Sequence, residues 1–148
     1  MGIQWKVSEF GQLSSKEIYN ILRLRSEVFV VEQQCIFLDL DELDFQAIHL
    51  TGYNKGQLIA YSRLFNKGIV AALPSIGRVV ISPQSRHNGI GKILMGKAID
   101  LIYELYGRQP IFIGAQCYLQ KFYNSFGFKT QGEIYFEDGI AHVKMVLS

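Results

Sequence analysis

Ser82-Pro83-Gln84-Ser85-Arg86-His87-Asn88-Gly89-Ile90-Gly91-Lys92 is the stretch on which the fold turns. Pro83 stops the strand-like run Ser75 to Ser82. Beyond the glycines, apolar residues stand at 90, 93, 94, 98, 101, 102 and 105, one stripe of a helix predicted over Ile90 to Tyr106. A helix start exposes unpaired amides and the positive end of the dipole, which suits an anion. Gly89 and Gly91 carry no side chain to keep a phosphate from the backbone, and Arg86 and Lys92 add positive charge. Two familiar phosphate loops do not fit. In a GxGxxG dinucleotide fingerprint counted from Gly89, the third glycine position holds Leu94. A GxxxxGK[ST] loop fails because Ile93 follows Gly91-Lys92 and position 86 is Arg86. What remains is Arg-x-x-Gly-x-Gly between a strand and a helix.

Working outward, Gly107 and Pro110 close the long helix, and Pro110 to Gln116 reads as a short buried strand. It should lie parallel to Ser75–Ser82, because a helix joins the two. Upstream, Ala47 to Asn54 and Gln57 to Asn66 form a predicted hairpin across Asn54-Lys55-Gly56-Gln57. Ile3 to Val7 is a short first strand. Ser14-Ser15-Lys16-Glu17 has capping-box spacing and opens a helix predicted from about Ser15 to Val31. Cys35 to Gln46 reads as an acidic loop. Downstream, Leu119, Phe122, Tyr123 and Phe126 mark a short helix closed by Gly127. Lys129 to Glu137 and Ile140 to Leu147 form a last hairpin across Asp138-Gly139. The order is β-α-β-β-β-α-β-α-β-β, which predicts an α/β fold with a mixed sheet and helices on both faces.

The chain has 148 residues, 49% apolar and 19% charged, with a net charge of +2. That excludes disorder, and it excludes a nucleic-acid binder working by charge alone. The longest uncharged run, Gln109 to Gln120, falls short of the roughly 18 residues a membrane span needs. Met1-Gly2 lacks an apolar leader behind it, and Lys6 stands where a myristoylation signal has Ser or Thr. Cys35 and Cys117 read as free thiols in a reducing, cytoplasmic setting.

Arg86-His87-Asn88-Gly89-Ile90-Gly91 resembles the pyrophosphate loop of the GNAT superfamily of N-acetyltransferases. The resemblance covers essentially the whole chain, since the order of strands and helices also matches. More narrowly, the sequence is similar to the ElaA-type branch. The residues are Val28-Phe29-Val30-Val31-Glu32-Gln33, Gly77-Arg78-Val79, Gly114-Ala115-Gln116, Phe122-Tyr123-Asn124-Ser125-Phe126-Gly127-Phe128 and Glu137-Asp138-Gly139-Ile140-Ala141-His142. The resemblance implies the acyl-CoA N-acyltransferase fold, mostly antiparallel, as one domain over residues 1–148. It also implies direct transfer of an acetyl group from acetyl-CoA to an amine.

Roles follow from the resemblance residue by residue. Val79, Val80 and Ile81 would hold the pantetheine arm through main-chain hydrogen bonds, with an amide of Val79 or Val80 facing the thioester carbonyl. Arg86 and the amides of His87, Asn88, Gly89, Ile90, Gly91 and Lys92 would hold the pyrophosphate. Tyr123 would be the acid, because a phenol of pKa about 10 keeps its proton at neutral pH. Its other reading is a core tyrosine, since positions 119, 122, 123 and 126 share one stripe. Two positions depart from the superfamily. Gln116 stands where an asparagine is common, one methylene longer and still able to bond the cofactor. The strand before the loop reads Ser75-Ile76-Gly77-Arg78, without the usual glutamate base. His49, Glu32 and His142 are the candidates for that base. Arg63 and Arg78, on adjacent strands, are expected to pair with Glu32, the alternative being an acceptor carboxylate. The aspartates at 39, 41 and 44 with Glu42 are expected to be solvated, the alternative being attraction of a cationic amine. No residue spacing suggests a metal site. Cys117 is close enough to suggest an acyl-cysteine, but the superfamily mechanism is direct. The expected partner is a small-molecule or peptide amine, with no nucleic acid and no membrane. Val143, Met145 and Leu147 are either core or a homodimer seam. The second functional reading is a non-catalytic acyl-CoA sensor or partner-binding module.

Overall fold

The long helix forms where its apolar stripe predicts. In the computed structural model, which describes residues 2–148, helix α2 spans Ile90–Tyr106. It buries Ile90, Leu94, Met95, Ala98, Ile99 and Ile102 against the sheet, each large side chain worth about 1.5–3 kcal/mol relative to exposure. Gly107, at φ +87°, ends it, and its amide donates to the Tyr103 carbonyl. Met1, from the N-terminal run read above, lies outside the described residues.

Among the described residues seven strands make one sheet: β1 (Gln4–Glu9), β2 (Ile48–Asn54), β3 (Gln57–Phe65), β4 (Ser75–Ile81), β5 (Ile111–Gln116), β6 (Lys129–Glu137) and β7 (Ile140–Leu147). Their spatial order is β1-β2-β3-β4-β5-β7-β6. All neighbours are antiparallel except β4 and β5, the pair that α2 joins. Helix α1 (Ser15–Arg25) begins with the predicted capping box: the Ser14 hydroxyl accepts from the Glu17 amide, and the Glu17 carboxylate accepts from the Ser14 amide. The α-helix does not run to Val31 as the sequence suggested. It passes at Ser26 into a wider π-helical turn that ends at Glu32. Helix α3 (Gln120–Asn124) is short. Helices α2 and α3 pack on one face of the sheet, and α1 packs on the other through Ile21, Leu24 and Val28 against Leu58, Tyr61 and Val80. Val143 and Met145 of β7 are buried in the core beside α2, with Leu147 packed against it, which is the core alternative for these side chains. No helix of the described residues is long and apolar enough to cross a membrane.

The feature that positions the site is the parting of β4 and β5. They share one paired position, Ser75 with Phe112. Beyond it β4 bulges. Its register with β3 jumps from Arg63–Gly77 to Tyr61–Val80, and Arg78 and Val79 have no partner in the β3 register. Arg78 sits at φ +50°, a left-handed conformation that costs a non-glycine residue about 1 kcal/mol or more. Hydrogen bonds from its guanidinium to the Asp39 carboxylate and carbonyl offset that cost.

Candidate active site

The glycine stretch forms a cradle. His87 at φ +69° and Gly89 at φ +74° turn the chain twice into the left-handed region, which aims successive amides to one side. Among the described residues no acceptor engages the amides of Gly89, Ile90, Gly91 and Lys92. A Cβ at Gly89 would meet nothing within 4 Å, so the glycine answers to its backbone angle and to whatever approaches from outside. A Cβ at Gly91 would stand 3.5 Å from Phe122 Cζ and 4.0 Å from Ile81 Cγ1, an ordinary contact. The Ile90 side chain is core, so Ile90 offers the cradle its amide alone.

From the cradle a cleft of about 1430 Å³ runs through the parting of β4 and β5 and out over the α1 face of β5, β7 and β6. Arg86, His87 and Gly91 line its near end, Val79, Val80, Ile81, Gln116 and Tyr123 its middle, and Phe65, Leu73, Phe112 and Val146 its far end. Lys92 is exposed outside the cleft. Tyr123 is 7% exposed, among the α2-side core. Burial pushes its phenol up to about 12, so the proton stays on.

Gln116 is not a free amide awaiting a cofactor. It makes a reciprocal pair with Gln33: each side chain donates to the other, at 3.2 and 3.3 Å. The pair ties the end of the π-helical turn to the end of β5. A second tie runs nearby, where the Cys35 thiol donates to the Asp138 carbonyl at 2.8 Å in the β6–β7 turn.

The three base candidates separate cleanly. His49 is 2% exposed and does not line the cleft. Both its ring nitrogens are engaged, with Tyr61 Oη at 2.6 Å and the Asp44 carbonyl at 2.9 Å, so it is a structural histidine rather than a base. Burial holds its pKa below the usual value. Glu32 does line the cleft, but Arg86 grips both its oxygens at 2.6 and 2.7 Å. The hydrogen bond from Arg86 lowers its pKa, which makes it a poor base. His142 lines the cleft opposite Gln116 in the β5–β7 register. Its Nδ1 lies 2.8 Å from the Ile140 carbonyl. A carbonyl only accepts, so Nδ1 carries a hydrogen, and in the neutral ring the lone pair is at Nε2. Its nearest carboxylate, Glu137, stands 3.7 Å away.

The arginines and the acidic loop also fall differently from expectation. Arg63 pairs with Asp41 and Asp44, and Arg78 with Asp39 and Asp41; neither pairs with Glu32. Arg25, fully buried, bonds Asp39 at 2.8 Å and Asp44 at 2.6 Å. Asp39 and Asp44 are therefore buried rather than solvated. Burial alone would raise the Asp41 carboxyl, but the hydrogen bonds and charge of Arg63, with Arg78, hold it at about 2. A three-arginine, three-aspartate lattice welds the loop after α1 to β3 and β4.

Sequence reasoning passed over two cleft residues. Gln33 adjoins Glu32 and has no chemical signature of its own. Tyr135 lies on an exposed edge strand, where a tyrosine attracts no notice. Its ring stacks on His142, with centroids 5.7 Å apart and planes 28° apart, and its hydroxyl lies 2.8 Å from where a Cβ of Gly114 would stand. Gly114 was the available signal, a glycine inside a strand, which marks close approach by another group.

Residues 40–148 match the family model described as "Acetyltransferase (GNAT) domain". The chain is 37% identical to protein ElaA of Escherichia coli K12 over 145 residues, covering 97% of this chain and 95% of that one. Its fold superposes on an acyl-CoA N-acyltransferase from Pseudomonas aeruginosa with a TM-score of 0.94 and 38% identity, covering 99% of this chain and 100% of the other. An aminoglycoside 6'-N-acetyltransferase complexed with coenzyme A shares the fold at a TM-score of 0.71 and 15% identity, over 95% of each chain.

Proposed function

The chain belongs to the GNAT acetyltransferase family, and from that membership we propose that it transfers an acetyl group from acetyl-CoA directly to the amine of a small molecule or peptide. One observation carries the reading. Four consecutive free amides, Gly89 to Lys92, open at the end of a cleft that continues between the unpaired parts of β4 and β5. Such a cradle fits a pyrophosphate, and the parting fits an extended arm that bonds to strand backbone.

Acetyl-CoA supplies an activated acyl group whose leaving group is a thiolate. The rest belongs to this chain. Val79, left out of the β3 ladder by the bulge while Val80 pairs with Tyr61, would donate its amide to a developing oxyanion. His142, with its lone pair at Nε2, takes the proton from the attacking amine. Tyr123, whose proton burial keeps in place at neutral pH, donates a hydrogen bond to the departing sulfur. Gln116 acts through Gln33 as a positioning residue for the end of β5.

Thermal unfolding with CoA, acetyl-CoA and NADH in parallel tests the reading. A ligand at about 100 times its Kd adds about 2.7 kcal/mol, so both CoA compounds should raise the midpoint and NADH should not. If neither CoA compound moves it at millimolar concentration, the cofactor assignment falls. Replacing Tyr123 by Phe then asks for catalysis: turnover should drop while the CoA shift persists.

A further inference from the structure

Resting on the acyl-CoA reading above, we infer that Tyr135 sets the length of the acyl group, closing a short slot between Gly77 and Gly114 that takes acetyl and turns away longer aliphatic chains. The direction of the slot follows from the chain trace. The cradle comes just after the C-terminal end of β4. An arm held there and laid between the strands therefore runs back along β4, and its acyl end points to where β4 and β5 meet, at Ser75 and Phe112. Gly77 and Gly114 each stand two residues past that meeting point, and both line the cleft.

The two glycines are not equivalent. Nothing lies within 4 Å of a Cβ built on Gly77, whereas the place of a Cβ on Gly114 is already taken by the Tyr135 hydroxyl. Tyr135 reaches it from β6, across β7, and stacking on His142 holds its ring. The phenol keeps its proton, since burial and then Glu137 raise its pKa. Beyond it the cleft continues between Phe65, Leu73, Phe112 and Val146. A polar hydroxyl thus stands between the reaction centre and an apolar compartment. A longer chain must displace it, whereas with the ring removed the chain would run on among apolar walls, gaining about fourfold in affinity for each methylene buried.

The test measures the affinities of CoA, acetyl-CoA, butyryl-CoA and hexanoyl-CoA for the wild-type protein, Tyr135→Phe and Tyr135→Ala. The wild type should bind hexanoyl-CoA about tenfold more weakly than acetyl-CoA. Tyr135→Ala should gain about tenfold or more for hexanoyl-CoA while CoA and acetyl-CoA stay within about twofold. Tyr135→Phe, which loses the hydroxyl alone and keeps the stacked ring, should gain for butyryl-CoA and not for hexanoyl-CoA, and it stands in if the alanine variant does not fold. A wild type indifferent to chain length, or variants whose length preference is unchanged, would overturn the slot. If CoA itself binds none of the proteins, the acyl-CoA reading fails and the slot with it. If CoA binds and the series does not respond, only the slot is wrong.

Discussion

His49 spends both ring nitrogens on neutral partners inside the core, and this has a consequence for stability. Its native pKa is held below the value near 6.5 at which it titrates when unfolded. Between those two values the unfolded chain binds a proton that the native protein does not. The His49 contribution is therefore full above about pH 6.5 and is lost as the pH falls towards the native pKa. Urea-derived stability should fall between about pH 7.5 and 5.5, and His49→Gln should flatten that slope whatever its own offset. The Arg25 lattice makes a second case. Arg25→Met would leave Asp39 with Arg78 alone and Asp44 with Arg63 alone, two buried carboxylates each short of one partner, at about 3–5 kcal/mol, which urea unfolding measures directly. The same residues show where sequence reading stops. A run of aspartates reads as solvated because three arginines from α1, β3 and β4 meet it only in three dimensions. His49 and His142 look alike on paper, both being strand histidines. Both lie on the α1 face of the sheet; what separates them is that Asp44 and Phe10 cover that face at His49, whereas the cleft leaves it open at His142.

At the scale of elements, α2 and the hairpins were legible because each rests on a local pattern: a 3.6-residue stripe, a capping box, a tight-turn dipeptide. The bulge in β4 was not, because its left-handed residue is Arg78 rather than the adjacent Gly77. The π-helical turn after α1 was equally silent, since its residues would suit an α-helix. The start of α2 allows the two glycines to be told apart. Gly91 has no positive φ, and its added methyl would make an ordinary contact with Phe122. Gly91→Ala should therefore raise stability by up to about 1 kcal/mol through helix propensity while weakening CoA binding. Gly89→Ala should weaken both, losing about 1 kcal/mol or more of stability to its left-handed backbone. Urea unfolding with and without CoA checks the pair, and opposite signs for stability are the expected result.

Across the whole molecule, the sheet is two ribbons, β1–β4 and β5–β7–β6, paired with each other at Ser75 and Phe112. Every second amide of β4 beyond that point faces the parting, the others facing β3. Hydrogen exchange should slow at residues 76–81 and at the cradle when acetyl-CoA binds, and stay unchanged in β2 and in the buried half of β7. Uniform slowing through the sheet would mean global stabilisation instead of a strand-like fit. The ion pair between Glu32 and Arg86 spans the same cleft from the end of the π-helical turn to the cradle. A phosphate that takes Arg86 must first remove a carboxylate from it. Loading is then an exchange of one anion for another rather than a capture by an idle cation. Its salt dependence should be shallower than a count of nearby positive charges would suggest. Such loading would also free Glu32 from the hydrogen bond that lowers its pKa, so proton uptake should accompany cosubstrate only as the pH falls into the ordinary carboxylate range.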